Sequence, residues 1–286
     1  VTDKTIYFYI DPKYGSAYLR GWQVRQKLRQ LGYNARIITR PNPNIRDSII
    51  FCVKTRILNT QIFDTSNFII WDSVDFIDRE KRLSDFTRLA DVADIVVYHN
   101  TVLPHYFKSE HNIEKEYRII PHHWDARIQN TKPHEDKFSI GYIGNDISSI
   151  HLNLIQNKYF IIGKNFLGKH FVDELNKYSC HFDIKDPDHF KFKTCSAMKL
   201  STAAAVNKCI ILNKTWSNLD LLPENSILFT EDSSEEAARS KIEEIASIYQ
   251  TPEWDHILID LQKIKEKTSL DNIIKLYENI IIENAN

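Results

Sequence analysis

The stretch from Lys191 to Trp216, KFKTCSAMKLSTAAAVNKCIILNKTW, sets two lysines and a hydroxyl beside a helix start that runs through small residues into an apolar strand. A helix opening near Thr194 or Ser196 leaves its first N–H groups unpaired and carries partial positive charge there, so an anion is welcome. Ser196, Lys199 and Thr202 recur at i, i+3 and i+6 on one helix face, and Lys193 sits just before it. A phosphate or diphosphate placed there would meet backbone donors, a hydroxyl and two ammonium groups. The competing reading is two solvated lysines flanking a helix whose alanines pack on a sheet.

Other clusters carry less. Tyr14, Gly15, Ser16 and Arg20 fall in the turn after the first apolar run. There Gly15 lets the backbone approach a ligand and Arg20 pairs with an anionic group, or else lies on a solvated helix face. His122 and His123 are adjacent, so on a strand they point to opposite faces and make a poor metal pair; one of them, His122, is expected at a cleft. Asp186 and Asp188 flank Pro187 in a DxD arrangement that can hold a hard divalent cation, but the Asp-Pro-Asp sequence reads better as a turn. Cys52, Cys180, Cys195 and Cys209 form no CxxC pair and no cluster with histidine, so reduced thiols and no metal site are expected.

These residues need elements to position them. TIYFYID (5–11) is a β-rich run, and the segment after it sets Ala17, Gly21, Val24, Leu28 and Leu31 on a helical stripe that Gly32 ends. ARIIT (35–39), SIIFCV (48–53), FIIWD (68–72), DIVVYH (94–99) and YRIIPH (117–122) repeat the apolar, β-branched pattern of strands buried on both faces. NTKPHEDK (130–137) is polar, and FSIGYIGN (138–145) restarts the strand-then-glycine order. YFIIG (159–163), CHFDI (180–184), KCIILN (208–213) and SILFT (226–230) continue as strands, and Ser233 with Glu236 forms a capping box.

The expectation is an α/β protein of two Rossmann-like domains facing across a cleft, 1–134 and 135–265. The apolar helix of 266–286 is expected to cross back to the first domain. A net charge of −1 and 26% charged residues in 286 argue against a nucleic-acid partner. No apolar run reaches the ~20 residues of a membrane span and the start lacks a signal-peptide pattern, so a cytoplasmic protein without a transmembrane segment is expected.

Taken in order, GSAYLRGWQVRQKLRQLGY, IPHHWD, GYIGN, KLSTAAAVNKCIIL and LLPENSILFTEDSSEEA resemble a GT-B glycosyltransferase over nearly the whole chain. The resemblance implies a nucleotide-sugar donor on the C-terminal domain and a glycan or other hydroxyl acceptor on the N-terminal one, with no metal or other cofactor. It places Gly144 and Asn145 near the donor phosphates. Lys193, Ser196, Lys199 and Thr202 would line the diphosphate or ribose pocket, and Tyr14, Gly15, Ser16, Arg20 and His122 would face the acceptor side. Inverting transfer needs a base for the acceptor hydroxyl, and Asp75, Asp72 and His99, just beyond strands, are the candidates. Many retaining members carry two glutamates eight positions apart, where this chain has Thr194 and Thr202. That departure leaves two alternatives open, a catalytically silent binding subunit and a nucleotide-sugar epimerase of the same architecture.

Overall fold

The computed structural model describes residues 2–54, 63–74, 87–128, 137–144, 149–160, 169–189 and 191–285. The chain forms two compact units. One comprises Val1–His123, Thr194–Ser196 and Ser269–Asn286, the other Trp124–Lys193 and Ala197–Thr268. The change of unit falls between His123 and Trp124, and residues 130–136 of the polar segment lie outside the described residues. Trp124 already belongs to the second unit, with its backbone N–H on the Thr268 carbonyl and its indole Nε1 donating to the Lys265 carbonyl at 2.9 Å.

The first unit is built on β1 (Ile6–Ile10), β2 (Ala35–Ile38), β3 (Ile49–Val53), β4 (Phe68–Asp72), β5 (Ile95–Tyr98) and β6 (Glu116–Ile119). They form a parallel sheet in the order β2-β1-β3-β4-β5-β6. β3 is buried along its whole length, as an unbroken apolar run in a covered parallel sheet should be. The helix after β1 departs from a simple α stripe. Ala17–Gln23 is wound as a π-helix and only then does α1 (Val24–Gln30) begin. Gly21 permits this close seat, since a Cβ there would stand 2.6 Å from Ile10 Cγ2. The wider winding and the Gly32 turn (φ 92°) leave Leu31 exposed and bury Tyr33 in its place. α2 (Leu103–His111) follows β5, its first N–H groups received by the Asn100 side chain.

The second unit holds β7 (Ile140–Gly144), β8 (Asn157–Phe160), β9 (Cys180–Asp183) and β10 (Cys209–Leu212), parallel and in the order β10-β9-β7-β8. Its helices are α3 (Lys169–Leu175), α4 (Lys191–Thr194), α5 (Met198–Ala205), α6 (Trp216–Leu219), α7 (Glu235–Ser247) and α8 (Pro252–Lys267). The alanines of α5 are fully buried beside β10 and α8, so small residues here serve close packing. Three expectations change. β8 begins at Asn157, earlier than YFIIG, and the end of that run lies outside the described residues. SILFT is no strand, because turns at Ser226 and Phe229 leave it one bridge, Leu212 to Phe229. Ser234, not Ser233, caps α7, accepting from the Ala237 N–H.

α9 (Leu270–Glu283) closes the chain on the first unit. Ile273, Ile274, Tyr277, Ile280 and Ile281 join the core around Phe8 and Phe51, whose rings stack at 5.0 Å. Burying five such side chains, at ~1.5–3 kcal/mol each, gives the amphipathic stripe a structural role. No helix among the described residues is long and apolar enough to cross a membrane.

Candidate functional site

The second sheet has one switch point. β7 comes first in the chain, with β8 on one flank and β9 on the other, so the crevice of an open parallel sheet lies beyond the carboxyl ends of β7 and β9. Those ends are Gly144 and Asp183. Lys199, on the first turn of α5, reaches there. Its Nζ lies 2.7 Å from Asp183 Oδ1 and 4.1 Å from the centroid of the Tyr142 ring. Lys185 Nζ approaches the other carboxylate oxygen at 2.9 Å. Gly144 is needed beneath them: a Cβ there would be 2.6 Å from Tyr142 Oη and 2.8 Å from Lys199 Nζ.

The electrostatics follow from burial. Burial alone would push the Asp183 carboxyl up, but the ammonium groups of Lys185 and Lys199 outweigh it and hold it below the ordinary carboxylate value. One carboxylate between two ammonium groups leaves one net positive charge at a strand-end crevice. The loops are tied down around it. Asn213, just past β10, donates to the Lys185 carbonyl at 2.7 Å and to Ser233 Oγ at 2.9 Å, and accepts from the Lys185 N–H. Ser149 Oγ donates to the Ile184 carbonyl at 2.8 Å. His181, buried within β9, bonds the Leu175 carbonyl, and burial lowers it to about 4, so it stays neutral there.

Lys199 and Thr202 share one face of α5, and Thr202 is buried. Ser196 does not join them. The helix starts at Met198, Ser196 falls in the Thr194–Ser196 connection that clusters with the first unit, and Ala197 offers no side-chain cap. Lys193 lies on α4, its side chain outside the described residues, as is all of Asn145. The Asp-Pro-Asp segment is a turn, with Asp186 Oδ1 accepting from the Asp188 N–H at 2.9 Å. Sequence reasoning missed Asp183, Lys185 and Tyr142. The signal was present in CHFDIK, which ends a strand on a carboxylate and sets a lysine two residues on.

In the first unit the candidates separate. Asp72 and Arg20 are both fully buried and face each other, Nε to Oδ2 at 2.6 Å. Arg20 also donates to the carbonyls of Ile120 and Pro121, and Tyr277 Oη donates to Asp72 at 3.3 Å. This pair ties the π-helix, β4, the end of β6 and α9 together, which is a structural task and not that of a solvated or ligand-facing arginine. Asp75 lies outside the described residues. His99 is buried just past β5. His122 and His123 are buried too, His122 Nδ1 on the His123 carbonyl and His123 Nε2 on Gln23 Oε1. Burial, with His122 and Arg20 adding to it, drives His123 well below the usual imidazole value. Tyr14 is half-buried at this sheet's own switch point, between β1 and β3, with the ammonium groups of Lys54 and Lys13 at 4.8 and 4.9 Å from its ring centroid; Gly15 is half-buried and Ser16 buried beside it.

No protein-family model and no curated protein sequence matches this chain. Solved structures do. A glycosyltransferase from Rickettsia africae superposes with a TM-score of 0.70 at 11% identity, over 98% of both chains. Sucrose-phosphate synthase from Thermosynechococcus elongatus gives 0.68 at 12%, over 98% of this chain and 100% of its own. HepE from Anabaena, in complex with UDP and glucose, gives 0.67 at 9%, over 98% and 99%. At these identities the likeness defines the fold, and that fold is the GT-B architecture of two Rossmann-like units.

Proposed function

We propose that this chain is a cytoplasmic glycosyltransferase that moves a sugar from a nucleotide-sugar donor to a hydroxyl of a glycan or other acceptor. The observation that carries the reading is the Lys199 ammonium at the β7/β9 switch point, beside Gly144 and braced by Asp183 and Tyr142. The acceptor oxygen bonds to the anomeric carbon, the bond from that carbon to the diphosphate oxygen breaks, and negative charge collects on the departing diphosphate. Lys199 and Lys185 are the groups that meet this charge, so the proposed reaction needs no metal to do so. Lys193, Asn145 and Thr202 are assigned to the same donor pocket, and Ser196, which belongs to the first unit, is not. Tyr14, Gly15, Ser16 and His122 are assigned to the acceptor side. The acceptor proton goes to Asp75 or His99, since Asp72 is held by Arg20.

A silent binding subunit is the second reading, favoured by Thr194 and Thr202, both buried where carboxylates would grip a donor in retaining relatives of the fold. Turnover separates them. Nucleotide sugars incubated with the chain and a panel of hydroxyl acceptors should release nucleoside diphosphate only when an acceptor is present. Conversion of the sugar without an acceptor would indicate an epimerase, and no turnover with retained binding would indicate the silent subunit.

A further inference from the structure

The first sheet has its own switch point. β1 comes first in the chain, with β2 on one flank and β3 on the other, so the crevice lies beyond the carboxyl ends of β1 and β3. The residues just past those ends are Asp11 and Lys54. Tyr14 stands in the turn between β1 and the π-helix, and two ammonium groups converge on its ring. Lys54 Nζ lies 4.8 Å and Lys13 Nζ 4.9 Å from the centroid. The electron-rich ring face attracts each cation, but two like charges gathered on one ring repel each other, and an anion beside them relieves that repulsion.

The two lysines are held differently. Asp11 pairs with Lys13 at 2.7 Å, and its other oxygen accepts the Lys13 backbone N–H at 3.3 Å. Lys54 is placed at a backbone cost. Its φ is 48°, in the left-handed region that favours glycine and that a long side chain enters with strain. Glycine would suit this turn better, so what the lysine adds is its ammonium group at the crevice, and strain kept at such a place points to function.

The donor diphosphate is assigned to the switch point of the second unit, so an anion at this one belongs to the other substrate. A phosphate monoester carries about −1.5 to −2 charge at neutral pH and three acceptor oxygens, which suits two ammonium groups better than the single charge of a carboxylate does.

We propose that the acceptor is a phosphorylated sugar whose phosphate monoester is held by Lys54 and Lys13 beside Tyr14. The phosphate anchors the acceptor, and one of the sugar hydroxyls receives the transferred group. Its role as acceptor rests on the glycosyl-transfer reading, whereas the phosphate site does not.

Calorimetric titration of hexose 6-phosphates, the same hexoses without phosphate, and glucuronate into the full chain tests the site. At least one phosphorylated hexose should bind about tenfold or more tighter than its neutral parent, and Lys54→Met should remove roughly that factor. Lys54→Gly should lose the same affinity yet unfold at higher urea, because it relieves the positive φ. Asp11→Asn keeps a side-chain oxygen for the Lys13 N–H but releases the Lys13 ammonium, so it should tighten phosphate binding. Lys263→Met, on the exposed side of α8, should change nothing. Equal binding of phosphorylated and neutral hexoses, glucuronate bound as tightly as the phosphates, or unchanged affinity in both Lys54 variants would overturn the site. The same sugars are then offered together with nucleotide sugars. Nucleoside diphosphate released with phosphorylated hexoses and not with neutral ones supports the acceptor assignment. Release with neutral hexoses alone overturns that assignment and leaves glycosyl transfer standing. Phosphate binding that depends on Lys54, with no release from any acceptor, upholds the site and overturns the transfer reading instead.

Discussion

Replacing Lys199 by methionine keeps the aliphatic stem and removes one of the two ammonium groups that face Asp183. In the native chain its Nζ makes a charge-assisted bond of 2.7 Å to a carboxylate that is about 5% exposed, and it lies on the Tyr142 ring. Breaking a fully buried ion pair costs about 3–5 kcal/mol, because the remaining charge is stranded. Here Lys185 stays in place at 2.9 Å and the Lys199 side chain is 22% exposed, so part of the charge remains paired and water reaches the rest. The expected loss is about 1–3 kcal/mol at neutral pH, read from urea unfolding of the second unit. Its pH dependence is diagnostic. A depressed carboxyl contributes stability above its unfolded value, about 3.9, and loses it as pH falls through the folded value. Without Lys199 the Asp183 carboxyl rises, so the variant loses stability at a higher pH, and the gap to the native chain narrows once both carboxyls are protonated. A gap that stays constant from neutral pH to pH about 3, or no destabilisation, would refute the reasoning.

Gly144→Ala sets a Cβ against the buried Tyr142 ring and the end of Lys199, so nucleoside diphosphate affinity should fall at least about tenfold and unfolding should shift by about 1–3 kcal/mol, measured by calorimetry and urea titration. Arg20→Leu strands the buried Asp72 and should destabilise the first unit by about 3–5 kcal/mol; Asp72→Asn should lose stability as well as activity, whereas a pure catalytic base would lose activity alone. His181 is held near 4 by burial, so its neutral form stabilises the second unit above the unfolded value of about 6.5. That contribution, roughly 3 kcal/mol, is lost as pH falls from 6.5 towards 4, and His181→Asn should flatten this slope in pH-dependent unfolding.

Much of the fold was legible because parallel-sheet strands buried on both faces announce themselves as apolar runs, as IIFCV in β3 does. The C-terminal stripe of Ile273, Ile280 and Ile281 was equally readable, since a helix with one strongly apolar face must cover a core. Local winding was not. The π-helix at Ala17–Gln23 depends on Gly21 meeting Ile10, a contact between residues eleven apart that no 3.6-residue stripe encodes. The site was legible in part. Lys199 stood out by its place at the start of a small-residue helix, but Asp183 and Lys185 belong to another strand end, and only the strand order β10-β9-β7-β8 brings them to it. Arg20 read as an anion-pairing or solvated residue and Asp72 as a candidate base just beyond a strand, because sequence spacing cannot show that they bury against each other.

The claim that the β7/β9 switch point holds a donor diphosphate is tested most directly by equilibrium binding. UDP, GDP, CDP, ADP and dTDP would be titrated calorimetrically, without added metal, into the native chain and into Lys199→Met. The account predicts that one diphosphate binds selectively and that the variant loses on the order of tenfold or more, the worth of a charge-assisted contact to a phosphate. Equal affinity in both proteins, or binding of none even with Mg²⁺ or Mn²⁺ present, would contradict it.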